Sequence, residues 1–324
     1  MRRLLCSIVT IAALYCPVAV TAQPSNPASF PTKPLRMLVP VPAGGPSDFI
    51  ARQVAQQLST SLGQVVAVEN KPGASGLVAA REVLSSPADG YTLLYAPGSM
   101  IATPLIAKGS GLDWSQDFAP LGKVGRVPFA LAVHPGVPAQ TVTDLVRQVR
   151  QQPGVFNVAT STPSEVLAAA QFMKAAGIQI TRVPYKGGAQ ALPDLLAGRV
   201  QIMFGPVSLL QPQAKAGALR ILATLTPDRH AALPDVPTMA ESGLPGVDVP
   251  TWQGLYAAAK VAQALRDRLA TDIAAAVARP DVRTEFDRRM LVVEGASPQD
   301  LATTITRELA VWAAVVDEYK LTAD

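Results

Sequence analysis

Two adjacent glycines, Gly44 and Gly45, stand where an apolar segment gives way to an amphipathic one, and this junction carries the clearest chemical signal in the sequence. Glycine has no side chain, so a ligand can come close to the backbone here. The first turn of the helix predicted to follow presents N–H groups without intrahelical partners and the positive end of the helix dipole. Residues 41–48 therefore predict a binding site for a small anion.

Two residues at the start of that helix, Ser47 and Asp48, have two possible roles. Either side chain could cap the helix by accepting a hydrogen bond from its first N–H groups, or could contact the ligand. For Asp48 we favour the structural role, because its carboxylate would repel an anionic ligand. A glycine pair alone is a weak motif, but its place after a strand supports binding, since open α/β sheets bind ligands at the carboxyl ends of their strands.

Two loops further along the chain repeat this strand-to-helix arrangement. Residues 159–164 read Ala-Thr-Ser-Thr-Pro-Ser, and their four hydroxyl groups could bind a ligand or simply cap the next helix. Residues 184–188 read Pro-Tyr-Lys-Gly-Gly. Lys186 could pair with a carboxylate, add positive potential, or be a solvated surface charge. Gly187 and Gly188 offer backbone N–H groups in each case.

Other strand ends are expected to open onto the same site. Ser99 follows one strand, and Phe204 and Gly205 end another, although each could equally belong to an ordinary loop or to the core. Trp252 could close one side of a pocket or be a core tryptophan. The full predicted ligand-binding set is Pro42, Ala43, Gly44, Gly45, Ser47, Asp48, Ser99, Thr160, Ser161, Thr162, Ser164, Tyr185, Lys186, Gly187, Gly188, Phe204 and Trp252.

The sequence lacks the residue patterns of common catalytic sites. Its two histidines, His134 and His230, do not stand in a metal-binding pattern of the H-E-x-x-H type. It contains no G-x-S-x-G turn and no nucleotide-binding glycine motif. Ser161 or Ser75 would need a base within hydrogen-bonding reach, and no histidine–aspartate pair suggests itself. We therefore predict a binding protein without cofactor or metal, with a hydrolase or lyase of small carboxylates as the weaker alternative.

Strand-like and helix-like segments alternate through most of the chain, which predicts an α/β fold with largely parallel sheets. The predicted strands are residues 35–40, 65–69, 91–96, 129–133, 157–160, 181–183, 200–204 and 219–224. The predicted helices are residues 47–62, 77–84, 164–176, 190–197 and 209–216, and Thr141 with Asp144 forms a capping box ahead of one more. Two apolar stripes at helical spacing follow, one of Leu265, Leu269, Ile273 and Val277, the other of Leu301, Ile305, Leu309 and Trp312.

Residues 1–22 are typical of an export signal. An Arg-Arg pair precedes an apolar run that ends in small residues, so we expect cleavage after Ala22 and a freely soluble periplasmic protein. A membrane anchor is the weaker interpretation, because the run is short and contains Pro17. Both cysteines, Cys6 and Cys16, lie in this segment, so the mature chain would have neither thiol nor disulfide.

Charge and length restrict the partners and the domain organisation. The 28 Lys and Arg residues of the 324-residue chain nearly balance its 24 Asp and Glu residues, and no basic stripe alternates with aromatics, so nucleic acid is not an expected partner. Single cores stop growing at roughly 250 to 300 residues, which predicts two lobes. We expect lobe 1 to comprise residues 33–127 and 225–324, and lobe 2 residues 128–224, with residues 226–250 as a Pro-rich connector.

Six short motifs, spread in order along the chain, point to a known family. They are Lys-Pro-Leu-Arg at 33–36, Pro-Ala-Gly-Gly at 42–45, Val-Glu-Asn-Lys-Pro-Gly-Ala at 68–74, Ala-Asp-Gly-Tyr-Thr-Leu-Leu at 88–94, Val-Pro-Tyr-Lys-Gly at 183–187 and Leu-Pro-Asp-Val-Pro-Thr at 233–238. The mature chain resembles the periplasmic solute receptors of tripartite tricarboxylate transporters, the Bug family. The resemblance implies a two-lobed Venus-flytrap architecture of the type II-like periplasmic-binding-protein class. In its interlobe cleft, backbone groups and ordered water would bind a small carboxylate.

The resemblance also implies partners. We expect a monomeric receptor that delivers a small organic carboxylate to the membrane permease subunits of a tripartite transporter. The alternative is a sensing subunit that presents its carboxylate to the ectodomain of a signalling protein. The chain departs from the family at residues 159–164, where a Ser-x-Gly-x-Gly-Ser loop followed by His and Leu is usual. Both glycines are replaced, and Glu165 and Val166 follow, so the identity of the carboxylate stays open.

Overall fold

The computed structural model of this protein describes residues 30–107, 109–249 and 251–318. The predicted leader, with its cleavage site and both cysteines, lies outside these residues. Among the helices described, none combines the length and the hydrophobicity needed to cross a bilayer.

Strands and helices alternate along the chain. The strands are β1 (Leu35–Val39), β2 (Val66–Asn70), β3 (Thr92–Pro97), β4 (Phe118–Arg126), β5 (Phe129–Val133), β6 (Asn157–Thr160), β7 (Thr181–Pro184), β8 (Ile202–Pro206), β9 (Arg220–Thr224) and β10 (Trp252–Ala258). The helices are α1 (Pro46–Leu62), α2 (Leu77–Ser85), α3 (Thr103–Ile106), α4 (Trp114–Asp117), α5 (Val142–Gln151), α6 (Pro163–Ala176), α7 (Gly188–Leu196), α8 (Val207–Lys215), α9 (Gln263–Val277), α10 (Pro280–Arg288) and α11 (Pro298–Glu318). Ala74–Gly76 and Gly98–Ala102 form short 3₁₀ turns.

The described strands form two five-stranded sheets, and each sheet with its covering helices makes one lobe. Lobe 1 has the strand order β2-β1-β3-β10-β4, and lobe 2 has the order β7-β6-β8-β5-β9. The sequence predicts largely parallel sheets, whereas both sheets are mixed. In lobe 1, β1 pairs in parallel with β2 and β3, but β10 is antiparallel to β3 and β4. In lobe 2, β5 is antiparallel to β8 and β9. The antiparallel pairing of β5 and β10 follows from the connectivity, because the chain enters each of these strands from the other lobe.

Helix α1 shows why the local sequence folds as it does. Ile50, Val54 and Leu58 lie on one face and are buried against the sheet. The helix ends at Gly63, whose φ of +66° is left-handed, as glycine allows at a helix C-terminus. These features confirm the helix predicted from the apolar spacing.

The C-terminal helices return to lobe 1. Helices α9 and α11 both pack against β4, and α9 also packs against α1. The stripe of Leu265, Leu269, Ile273 and Val277 is buried. In the second stripe Leu301, Ile305 and Trp312 are buried, and Leu309 is half-buried against the same core.

Two strands, β4 and β10, are missing from the sequence prediction. They pair with each other from Trp252–Arg126 to Ala258–Phe118, with register shifts after Gln253 and Leu255. Strand β4 is not recognisable in the sequence because it contains Pro120, Gly122 and Gly125, and glycine and proline are depleted in sheets. The strand forms because β10 pairs with it and α9 and α11 cover it.

The chain crosses between the lobes at residues 127–128 and again within residues 225–251. The crossings lie side by side, because two backbone hydrogen bonds join them. The N–H of Val127 donates to the carbonyl of Thr251 at 2.9 Å, and the N–H of Leu225 donates to the carbonyl of Phe129 at 2.8 Å. Away from the crossings, α6 of lobe 2 packs against the Gly98–Ala102 turn of lobe 1 and against α11. The two lobes therefore also meet through α6, which follows β6, and through the turn that follows β3.

Candidate functional site

The turn between β1 and α1 is closed by Asp48. Its buried carboxylate accepts the N–H of Gly44 at 2.9 Å, the Nε–H of Arg52 at 2.9 Å and a side-chain N–H of Asn70 at 2.8 Å. Burial alone would raise the pKa of Asp48, but the hydrogen bonds from Arg52, Gly44 and Asn70 outweigh burial and lower it. The carboxylate is therefore charged, neutralised by Arg52, and engaged in holding the turn.

The N-terminus of α1 keeps free backbone donors. The N-cap residue is Gly45, and no side chain caps it. This corrects the predicted cap at Ser47 or Asp48, because the Asp48 carboxylate bonds to Gly44 instead. Among the described residues, the N–H groups of Gly45, Ser47 and Asp48 have no acceptor. Residues 42–44 are exposed and Gly45 and Ser47 are half-buried, so these donors lie next to open space.

Ser47 begins a polar chain that enters the core. Its hydroxyl lies close enough to Tyr95 to affect the pKa of that phenol, and the Tyr95 O–H donates to Oε1 of Gln253 at 2.8 Å. The Gln253 amide donates in turn to the carbonyl of Thr251 at 3.0 Å. Tyr95 is fully buried, and burial raises its pKa well above the usual value, so the phenol stays protonated. Sequence reasoning missed Tyr95 and Gln253, because a single polar side-chain group in an otherwise apolar strand does not change the hydrophobic pattern.

The turn after β3 rests on Trp252. A Cβ at Gly98 would lie 2.6 Å from Cε2 of the indole, so only glycine allows this approach. The indole N–H donates to Oε2 of Glu308 at 2.8 Å, and Trp252 is 4% exposed. Burial raises the pKa of Glu308 to about 7. Trp252 thus packs directly against the turn that begins at Gly98. Ser99 lies buried within that turn.

The carboxylate of Glu165 accepts the hydrogen bonds of the first loop of lobe 2. Thr162 caps α6, and Glu165 three residues later completes a capping box. Oε2 of Glu165 accepts the N–H of Ser161 at 2.5 Å, its hydroxyl at 2.6 Å and the N–H of Thr162 at 3.2 Å. The hydroxyls of Ser161 and Thr162, which the sequence predicts either for the ligand or for a helix cap, therefore already bond within the loop, and both amides bind Glu165. Thr160 and Ser164, at the two ends of the loop, are buried.

The environment of Glu165 is apolar. The residue is 2% exposed, and burial raises its pKa to about 7, opposed by the hydrogen bonds from Ser161 and Thr162. Within the described part of the chain, no lysine or arginine forms an ion pair with it. Oε1 has no hydrogen bond to any described residue, and a Cβ at Gly188 would lie 3.8 Å from it.

The second loop of lobe 2 offers backbone groups and one free cation. The hydroxyl of Tyr185 donates to Asp194 at 2.8 Å, and Asp194 also pairs with Arg199 at 2.7 Å. Lys186 is exposed and forms no ion pair with the described residues. Gly187 is the N-cap of α7 and no side chain caps it, so Gly188 begins the helix beside Glu165.

The end of β8 combines a core residue with a buried hydroxyl. Phe204 is fully buried and packs edge-on against Phe172, with ring centroids 5.7 Å apart. Ser208, in the first turn of α8, has a buried Oγ without a hydrogen-bond partner among the described residues. Sequence reasoning missed Ser208, although its place just after a strand is the signal that drew attention to the other loops.

Groups for metal binding do not assemble in the described residues. No three His, Cys, Asp or Glu side chains there are grouped to bind a metal ion. Both histidines serve local turns, since Nδ1 of His134 accepts the N–H of Gly136 at 3.0 Å and Nδ1 of His230 accepts that of Ala232 at 3.1 Å.

Two surface concavities lie away from the predicted site residues. One, of about 330 Å³, is lined by residues of lobe 2 and of the connector, such as Pro135, Arg220 and Leu233. The other, of about 550 Å³, lies along the connector and includes Arg126 and His230. Neither contains a residue of the predicted ligand-binding set.

Comparison with known proteins places the chain in a family. Residues 50–321 match the model of the TctC family, described as the tripartite tricarboxylate transporter family receptor. The chain belongs to this family. Protein BugT of Bordetella pertussis strain Tohama I is 30% identical to the TctC receptor described here over 315 residues, covering 96% of this chain and 97% of BugT. The resemblance to the Bug receptors stated from the motifs is thereby confirmed.

Solved structures of relatives share the two-lobed fold. The R. palustris protein Rpa4515 with adipate is 32% identical to this receptor, with a TM-score of 0.82 over 90% of this chain and 99% of that one. MatC from Rhodopseudomonas palustris with bound malate is 27% identical, with a TM-score of 0.79 over 89% of this chain and all of that one. The receptor is thus a TctC-type solute-binding protein with a periplasmic-binding-protein fold, in a family of receptors rather than enzymes.

Proposed function

We propose that this receptor binds a small organic carboxylate between its lobes and delivers it to a tripartite-type membrane transporter. The observation that carries this proposal is the N-terminus of α1. Gly45, Ser47 and Asp48 each present a backbone N–H without an acceptor among the described residues. A carboxylate meets such donors with charge-assisted hydrogen bonds and gains from the helix dipole.

The surroundings of these donors suit an anion. The nearby carboxylate of Asp48 is compensated by Arg52 at 2.9 Å, which removes most of its repulsion. The Ser47 hydroxyl adds a polar group at the rim, and ordered water can bridge longer gaps at little enthalpic cost. The relatives with adipate and with malate support the same ligand class.

We propose lobe boundaries that mark a hinge, and the division of the described strands into two sheets supports them. Lobe 1 would comprise residues 33–127 and 225–324, and lobe 2 residues 128–224. The two crossings are joined by backbone hydrogen bonds, such as that from Val127 to Thr251, and a pair of adjacent strands can bend as a unit. Ligand binding would then close the lobes about residues 125–134 and 219–226.

The compartment and the membrane partner are also part of the proposal. A leader of 22 residues would export the chain to the periplasm, where it would act as a monomer. Copurification with one small and one large membrane subunit would support delivery to a transporter. Copurification with a sensor ectodomain alone would contradict delivery and support signalling.

The ligand class can be tested by native mass spectrometry of the protein purified from periplasmic extract, followed by a thermal-shift panel. We expect a co-purified organic acid, and stabilisation by about 2.7 kcal/mol when that acid is present at about 100 times its dissociation constant. Stabilisation by sugars or amines, with none by any carboxylate, would overturn the proposed ligand class.

A further inference from the structure

The turns at the starts of α1 and α6 do not offer equivalent sites to a ligand. Counted from the helix start, Ser161 corresponds to Gly44, and each N–H binds the carboxylate four residues on, Glu165 or Asp48. The next N–H is bound in lobe 2, from Thr162 to Glu165 at 3.2 Å, whereas in lobe 1 that of Gly45 has no acceptor among the described residues. A second ligand carboxylate at the Ser161 loop would find these donors occupied, and one at the uncapped start of α7 would lie beside Oε1 of Glu165.

The charge of Glu165 makes this asymmetry stronger. The side chain is 98% buried, and the described part of the chain supplies no cation to pair with it. All three hydrogen bonds go to Oε2, whereas Oε1 lies beside Gly188 and accepts no hydrogen bond from the described residues. A carboxylate oxygen with free lone pairs can accept a charge-assisted hydrogen bond, so a donor on the ligand would stabilise the complex. A ligand carboxylate at the same place would be repelled.

We propose that Glu165 is a specificity-determining residue that selects monocarboxylates carrying a hydrogen-bond donor at their far end. The lobe 1 turn binds the carboxylate, and Oε1 of Glu165 accepts a hydrogen bond from an ammonium, amide or hydroxyl group of the ligand. This inference rests on the proposed function, since it assigns the two ends of a ligand that lies between the lobes. It excludes simple dicarboxylates as the preferred ligands.

The test compares ligands of one length that differ only at the far end. Isothermal titration calorimetry at pH 8 would use adipate, 6-aminohexanoate, 6-hydroxyhexanoate and hexanoate, with the four-carbon series from succinate to butyrate as a second set. We expect the amino or the hydroxy acid to bind at least tenfold more tightly than the diacid of the same length. The comparison of amino with hydroxy acid distinguishes a cationic from a neutral donor.

Two variants complete the experiment. Glu165→Gln keeps an acceptor for Ser161 but removes the charge and adds a donor, so it should lower the preference for the amino or hydroxy acid over the diacid at least tenfold. Asp144→Asn is the matched control, because Asp144 occupies the same position in the capping box of α5. It should leave the preference unchanged.

The outcomes separate this inference from the proposed function. Tight binding of the diacid by the unaltered receptor, or an unchanged preference in Glu165→Gln, would overturn the role of Glu165 and leave a carboxylate receptor standing. Binding of no acid in either series would overturn both proposals. The comparison within the unaltered protein decides the question even if Glu165→Gln does not fold.

Discussion

Ser161 donates both its backbone N–H and its hydroxyl to one carboxylate oxygen of Glu165, at 2.5 and 2.6 Å. These hydrogen bonds determine what the first loop of lobe 2 can offer to a ligand. Thr162 caps α6 and Glu165 binds the N–H groups of Ser161 and Thr162, whereas no described side chain caps α1. The first loop of lobe 2 therefore offers an acceptor where the corresponding turn of lobe 1 offers donors.

The stability of the protein should fall as pH rises from about 4.5 to about 7. Burial raises the pKa of Glu165 from its ordinary value of 4.5 to about 7, so the folded protein binds this proton more tightly than the unfolded chain does. The resulting stabilisation is complete below pH 4.5 and is lost as pH passes 7. Its size is about 3 kcal/mol at most. Thermal denaturation between pH 4 and 8 measures it.

Two variants resolve this pH dependence. Glu308 also has its pKa raised to about 7 by burial, and so adds to the slope with the same sign. Glu165→Gln and Glu308→Gln should each remove part of the slope, since glutamine still accepts the hydrogen bonds from Ser161 and Trp252 but does not titrate here. A slope in Glu165→Gln equal to that of the unaltered protein would show that this carboxyl has an ordinary pKa.

Valine in place of either glycine of the turn should abolish ligand binding. At Gly45, φ is −82° and a Cβ has nothing within 4 Å, so Gly45→Val should fold normally while its branched side chain covers the donors. At Gly44, φ is +89°, so Gly44→Val adds backbone strain of roughly 1–2 kcal/mol. Calorimetric titration with the co-purified acid measures the loss.

A glycine outside the turn controls for that strain. Gly154 has φ +83° and open space around it, so Gly154→Val should cost similar stability without affecting affinity. Undiminished affinity in both Gly44→Val and Gly45→Val would show that the ligand does not bind at this turn.

Removing the carboxylate of Asp48 should destabilise lobe 1 strongly. Asp48→Ala leaves the N–H of Gly44 and the side chains of Arg52 and Asn70 without their acceptor. Because Arg52 is half-exposed, we expect a loss of about 2 kcal/mol, less than for a fully buried pair. Urea denaturation measures the change in the free energy of unfolding.

An exposed ion pair of the same spacing provides the comparison for Asp48. Arg268 and Asp272 lie four residues apart on α9, joined at 2.8 Å. Asp272→Ala should cost less than about 1 kcal/mol, since it removes a surface pair and leaves no backbone donor unpaired. Equal losses in the two variants would mean that Asp48 is only a surface charge.

Saturating ligand should make the receptor more compact. The lobes are joined by two adjacent crossings, and α6 meets the Gly98–Ala102 turn on the facing side, so rotation about the crossings changes the gap between the strand ends. Small-angle X-ray scattering with and without ligand should show a smaller radius of gyration for the complex. Identical scattering curves at saturation would contradict a hinge.

Much of the fold could be predicted, because most elements carry their own local signal. Strand β5 was predicted at residues 129–133 and β6 at residues 157–160, with the bounds that the structure shows. The capping box of Thr141 and Asp144 is also confirmed. In contrast, β4 lacks such a signal, because its glycines and proline are unfavourable in isolation and only pairing with β10 makes it a strand.

The candidate site was predictable in outline but not in its hydrogen bonding. The sequence predicted helices from residues 47 and 164, and the structure places their N-caps slightly earlier, at Gly45 and Thr162. It did not show that Asp48 bonds to Gly44, or that Tyr95 bonds to Gln253. Such contacts depend on side-chain direction and on residues distant in the chain.

By itself, the sequence determined the alternation of strands and helices, the loops at strand ends, and the motifs that place the chain among the TctC receptors, because periodicity and turn chemistry are local. Only the tertiary structure decided which backbone donors are left for a ligand. That outcome depends on side-chain position: buried Glu165 binds the amides of Ser161 and Thr162, whereas Asp48 binds only that of Gly44, and no described acidic side chain reaches the amides of Gly45 and Ser47.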